Sequence, residues 1–339
     1  MNYNKGFTAA FYAYRIDPVT WRETERFEVT GGRITRSDEG LRHAADIDYK
    51  GYFPDLEQWV RIYMDTEQNG ASAHEPVFTG LACAPDGSFD GVVETGALQC
   101  FSVLKAAEDV DLPRGYYVLA GTDGARAVLD LLDVIPAPVE AAVGSPSLQA
   151  TIIAEDGENR LTMADKILTA INWRLRISGD GSVWIGPWSA EPVASFDALE
   201  NDCVEPQIRY ERNLFECPNV LRAVSDELTA IARDEDQDSI LSVQNRGREV
   251  WETETDVNLG SGESIAEYAV RRLRELQTVL LTAEYTRRYR PEVMPGDVIR
   301  LTYPAQRLKG LFTVTDQDVS LGFAADTRES VSTYTGGSE

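Results

Sequence analysis

The chain has 339 residues, with 32 Lys+Arg against 56 Asp+Glu, a formal charge of −24, and 43% hydrophobic and 26% charged residues. This composition excludes a disordered, collagen-like or low-complexity chain, because apolar material for packed cores is ample; the length predicts two or three domains. The acidic balance argues against a protein that grips nucleic-acid phosphates, which takes a basic surface.

The opening residues carry Lys5, Arg15 and Asp17 within a stretch that alternates like a strand. They are too short and too polar for a secretory or spanning segment, so a soluble protein made in a cytoplasm is expected. Phe7, Ala9, Phe11 and Ala13 alternate with Thr8, Ala10, Tyr12 and Tyr14, the two-residue period of a half-buried strand. Further short β stretches follow around Phe27, Ile34, Ile47, Ile62, Phe78 and Val92, punctuated by Gly31-Gly32, Asn69-Gly70 and Asp86-Gly87. Residues 1–103 therefore read as a barrel or sandwich.

The pattern changes after Cys100. Ala125, Val128, Leu129, Leu132 and Ile135 form a helical stripe ended by Pro136. A second stripe runs through Leu161, Ala164, Ile167, Leu168 and Ile171. A hairpin is predicted from Leu175 to Ile185 around Gly179-Asp180-Gly181. Residues 104–204 thus read as an α+β domain. From Val204 the chain is again β-like, with strands at 207–210 and 219–224. Residues 233–238 look like a solvated acidic loop. Ser264 and Glu267 form a capping box, opening a helix that buries Ile265, Ala269, Leu273, Leu276 and Leu280. Strands return over 281–323, with Pro295-Gly296-Asp297 as a turn.

No catalytic constellation is present: the phosphate-loop, dinucleotide, serine-hydrolase and zinc-protease motifs are missing. Asp234, Asp236 and Asp238 resemble the start of a calcium loop, but Ser239 stands where that loop needs Gly and Asn245 where it needs the bidentate Glu. The two histidines, His43 and His74, are too few to suggest His-centred chemistry. Cys83, Cys100, Cys203 and Cys217 contain no CxxC pair and read as small buried side chains. Trp184 and Trp188, flanking Gly186-Pro187, offer a sugar-stacking platform, though hydrophobic contacts of a small sheet or of a subunit interface explain them better. The residues thus predict no catalytic, cofactor-binding or metal site and no cofactor.

Six passages in order resemble the baseplate hub proteins of tailed bacteriophages, the family that includes the N-terminal part of tail-associated tip proteins. They are residues 17–21 with 29–36; Leu41-Arg42 with 60–63; 161–168 before the Gly-Asp-Gly hairpin; 206–220; 290–298; and 309–314. No one of them is a sharp motif, and the likeness lies in their order across nearly the whole chain. It implies a β-rich α+β fold with two tail-tube-like β-barrel domains and two smaller α+β domains. The barrels would be 1–103 and the discontinuous 205–228 plus 278–330. The smaller domains would be 104–204 and 229–277, and 331–339 a flexible tail. The resemblance further implies a non-enzymatic homotrimeric ring that closes the distal end of the tail tube in the virion. It would match a sixfold tube to a threefold tip and pass DNA through its channel. Its partners would be the tail tube or distal tail protein, other tail-tip proteins and the tape measure protein, with no membrane insertion. An acidic inner wall would let DNA pass without sticking, with Asp38, Glu39, Asp86 and Asp90 as candidate contributors. The competing readings are a carbohydrate-binding host-recognition protein and an acidic glycoside hydrolase.

Overall fold

In the computed structural model the described residues are 1–333, apart from 55, 201–202, 213–214, 226–227, 256, 258, 260–262, 278–280 and 307. The alternating N-terminal segment forms β1 (Thr8–Ile16), followed by β2 (Glu23–Ser37), β3 (His43–Lys50), β4 (Gln58–Gln68), β5 (Ala71–Phe89) and β6 (Glu94–Ser102). β1 pairs with β4, β4 with β5, β5 with β6, β6 with β3, β3 with β2, and β2 again with β1, every pair antiparallel. These ladders return to the strand from which they started. Phe7, Ala9, Phe11 and Ala13 all enter the core, with Ile34, Ile47, Ile62 and Met64.

The next segment contains α1 (Lys105–Glu108), β7 (Tyr117–Val118), α2 (Gly124–Leu131), β8 (Val139–Ala141), β9 (Ile152–Ile153), α3 (Arg160–Ala170), β10 (Trp173–Ile177) and β11 (Val183–Pro187). α2 starts where the sequence indicates, because the Asp123 carboxylate accepts from Arg126 N at 2.9 Å, a side-chain N-cap. It stops at Leu131, short of Pro136, yet Ile135 is still buried. The hairpin forms as expected, with Leu175 opposite Ile185, and β8 adds a parallel strand to β11. Val128, Ile167, Leu168 and Leu175 share one core, against which Trp21, Leu41 and Trp59 of the first strand system pack.

A second strand system uses β12 (Ala194–Asp197), β13 (Val204–Arg212), β17 (Leu281–Arg288), β18 (Val298–Tyr303), β19 (Leu308–Ser320) and β20 (Asp326–Thr333), in the order β13-β17-β20-β19-β18-β12. β19 is long enough to join both systems. Its first half pairs with β18 and its last five residues with β2, while β20 lies along its other edge. Twelve strands therefore form one continuous sheet. β12 falls within the stretch read as the α+β domain, yet it pairs in parallel with β18. β20 continues to Thr333 with Val331 buried, so the start of the expected tail is strand; residues 334–339 lie outside the described residues.

β14 (Val220–Ser225), β15 (Leu228–Arg233), α4 (Val243–Arg246), β16 (Trp251–Glu254) and α5 (Ile265–Gln277) make the last unit. β14 falls within the stretch expected to belong to the second barrel, but it is the central strand of a three-stranded sheet between β15 and β16. The capping box forms: Ser264 N donates to Glu267 Oε2 at 2.8 Å and Glu267 N to Ser264 Oγ at 3.2 Å. α5 buries Ala269 and Leu273 against Leu221, Ala223 and Ala232; Leu280 lies outside the described residues. Leu273→Ala should cost about 2–3 kcal/mol, the lower part of the range for buried leucines, because the facing alanines are small and the helix can settle toward the sheet. Chemical denaturation measures this, and an unchanged midpoint would place Leu273 at a solvated face.

Candidate functional site: the domain junction and its cleft

The Pro-Gly-Asp turn before β18 is the point where the α+β segment meets the second strand system. Asp297 is 1% exposed, and its carboxylate accepts from Arg174 Nη2 at 3.1 Å, Arg176 Nη2 at 3.0 Å and Met294 N at 3.0 Å. Arg174 also donates to Gly296 O and lies over the Trp188 ring, 4.8 Å from its centroid. Gly296 has φ +81°, and a Cβ there would stand 2.7 Å from Arg174 Nη1, so the turn requires glycine.

The same segment grips the first strand system through its hairpin. Thr79 Oγ1 donates to Gly179 O at 2.8 Å and Arg61 Nη2 to Asp180 O at 2.9 Å. A Cβ on Gly179 would be 1.9 Å from Pro76 O, so this close approach explains the first glycine of the Gly-Asp-Gly motif. Arg42 adds a 2.8 Å ion pair to Asp165 on α3.

Between the two strand systems runs a chain of buried polar side chains. Arg36 donates to Val77 O at 2.7 Å and to Tyr289 Oη at 3.3 Å, and its other guanidinium nitrogen meets Gln317 Oε1 at 3.4 Å. Gln317 Nε2 donates to Glu329 Oε1 at 2.8 Å. Glu329 in turn holds Arg287 through Nη2 at 2.5 Å and Nε at 3.0 Å, and accepts from Tyr285 Oη.

A cleft of about 1440 Å³ opens where the β2–β3 turn, α3, β10, α5 and the second strand system come together. Asp38 and Glu39 line one end, and Trp188 and Val270 contribute apolar surface. Burial pushes the Asp38 carboxyl up to about 6, against the opposing pull of Arg42 and Arg174. The folded state therefore holds its proton more tightly than the unfolded chain, whose carboxyl titrates near the ordinary value of 3.8. Stability contributed by this group is greatest at low pH and falls as pH rises from about 4 to about 6. Asp38→Asn should accordingly be more stable than the parent at about pH 7.5, by about 1–3 kcal/mol, with the gap closing by about pH 4. Urea unfolding of both proteins at the two pH values tests this; a pH-independent gap would show that Asp38 is solvated.

The four acids suggested for an inner wall fall into two groups. Asp38 and Glu39 sit at the β2–β3 turn, beside the His43 end of β3. Asp86 and Asp90 lie in the β5–β6 hairpin, where Lys50 at the far end of β3 stands opposite Thr95. The eight residues of β3 separate them by about 25 Å at roughly 3.3 Å per residue. The acidic loop closes on itself, with Asp234 Oδ2 accepting from Ser239 Oγ at 2.6 Å and from Gln277 Nε2 at 3.1 Å. Among the described residues no group of three or more His, Cys, Asp or Glu is placed to hold a metal. Trp184 folds back over Gly186, and Trp188 carries the Arg174 guanidinium, so each indole has a local packing role. Cys100, Cys203 and Cys217 are buried and all four cysteines are free thiols; burial pushes the Cys217 thiol up to about 11. Arg36, Arg174, Arg287 and Glu329 were not anticipated, since nothing in a strand sequence marks a charged residue as buried.

This architecture, two strand systems sharing one sheet with helical units attached, is a fold shared with solved phage tail proteins. A tail protein from Neisseria meningitidis MC58 superimposes with a TM-score of 0.67 at 15% identity, covering 97% of each chain. The 43 kDa tail protein of prophage MuSo2 from Shewanella oneidensis matches with a TM-score of 0.67 at 14% identity, over 96% of this chain and 98% of that one. The E. coli c3393 protein, a type VI secretion component described as similar to the T4 tail proteins gp27 and gp5, matches with a TM-score of 0.55 at 10% identity, over 91% of this chain and 74% of its own. No protein-family profile and no curated protein sequence matches the chain.

Proposed function

We propose that this chain is a structural hub protein of a phage tail, located at the distal end of the virion's tail. In this reading the β1–β6 cycle and the second strand system are two tube-like barrel domains, and the α+β segment and the α5 unit flank them. Three protomers then present six such domains to a sixfold tube, and the ring passes DNA. The observation that carries the reading is β19, which runs through both strand systems and fixes them side by side as one rigid pair. Adjacent ring positions need that constraint. The match in fold over almost the full length of two tail proteins supports it. Partners would be the tube or distal tail protein, the tape measure protein and other tip proteins, assembled in the host cytoplasm. The surplus of carboxylates suits a bore that repels phosphate, with screening over about 8 Å at physiological salt. Mass photometry and electron microscopy of the purified protein test the ring. A particle of three times 37.6 kDa with threefold symmetry is expected, and a monomer, in the purified protein or within isolated tails, would overturn it.

A further inference from the structure

The cleft has features that the hub reading does not use. Its volume, about 1440 Å³, exceeds the roughly 300–1,000 Å³ of small-molecule sites and suits a stretch of polypeptide. One wall is the outward face of α5, whose Val270 is 45% exposed although the helix's opposite face is packed on its own sheet. Trp188, which also lines the cleft, is 42% exposed. Six carboxylates line the cleft against four guanidinium groups. Most of these acids are satisfied from within: Asp165 by Arg42, Glu263 and Glu275 by Arg271, and Glu267 by its cap. Asp38 and Glu39 are the exception in hydrogen bonding, since neither side chain accepts one from a described residue; Glu39 is exposed, and half-buried Asp38 has only the longer-range attraction of Arg42 and Arg174.

We propose that this cleft is a docking groove for a segment of another tail protein, one carrying apolar anchors flanked by lysine or arginine. The apolar side chains would cover Val270 and Trp188, removing surface that water now wets. The cations would reach Asp38 and Glu39, where a charge-assisted hydrogen bond gains from partial desolvation. An acidic segment or a phosphate polymer meets the wrong sign there, within a chain of net charge −24. The groove lies within one chain and does not depend on a ring.

The test uses the full chain and a short fluorescent peptide of alternating lysine and leucine, with a counterpart carrying glutamate for lysine. Anisotropy should show the basic peptide binding and the acidic one not. Asp38→Asn with Glu39→Gln should weaken binding about tenfold or more, about 1.4 kcal/mol per decade. Asp86→Asn with Asp90→Asn, at the far end of the first strand system, should leave it unchanged. A photo-cross-linker on the basic peptide should label residues around Val270 or Trp188. Equal weakening by both pairs would reveal diffuse charge attraction and overturn the proposal, as would cross-links elsewhere or no binding at all. Particle mass measured on the same samples separates the two readings. A monomer that binds the peptide removes the ring and keeps the groove, and a trimer that does not bind it does the reverse.

Discussion

Glu329→Ala is expected to cost about 3–5 kcal/mol, the range for removing one partner of a buried ion pair. Glu329 and Arg287 both have fully buried side chains, so the variant leaves a guanidinium in the core with its counter-ion gone. Tyr285 Oη and Gln317 Nε2 lose an acceptor at the same time. The damage should reach the first strand system, because Gln317 also meets Arg36. Glu329→Gln keeps the shape and should cost less. Replacing both partners with apolar residues of similar volume, Arg287→Met with Glu329→Leu, should recover much of the loss, since the desolvation penalty of both charges disappears. Thermal unfolding of the four proteins measures this. A single Glu329→Ala variant that melts with the parent would show that water reaches the pair.

Much of the fold was legible where local periodicity decides it. Phe7 to Ala13 reads as a strand because a two-residue period has only one solution on a half-buried sheet, and Ser264 and Glu267 fix a helix start by chemistry confined to one turn. The partner of a strand is a different matter. Residues 220–225 alternate well enough to be a strand, yet nothing in them says whether they join the large sheet or a small one. That is decided by β15 and β16, which follow it, and by α5 above it. Charged residues inside strands mislead for a related reason. Glu329 sits between inward Thr327 and Val331, so the pleat points it into the core. Read alone it suggests a solvent-facing position, because its partner Arg287 is 42 residues away. Asp38 and Glu39 were singled out as acids, but their place in a cleft depends on α5, more than two hundred residues downstream.

Asp297 shows the same limit and leads to the second large expected effect. Pro-Gly-Asp reads simply as a turn, common in β proteins, and turn geometry alone would accept asparagine or serine in its last position. The structure gives the aspartate a second task. It neutralises Arg174 and Arg176, which reach it from 123 and 121 residues away, and Arg174 is itself 6% exposed. Asp297→Ala should therefore cost about 3–5 kcal/mol by stranding a buried cation. Because Arg174 also stacks on Trp188, its release should raise the exposure of that indole and shift the protein's fluorescence. A double-mutant cycle with Arg174→Met distinguishes this from damage to the turn. If the ion pair dominates, the second substitution should restore part of the stability lost to the first, with a coupling of about 1–3 kcal/mol. Additive losses would instead assign the role of Asp297 to its hydrogen bond from Met294 N, leaving the docking of the α+β segment to its other contacts, those of Gly179, Asp180 and Asp165 among them.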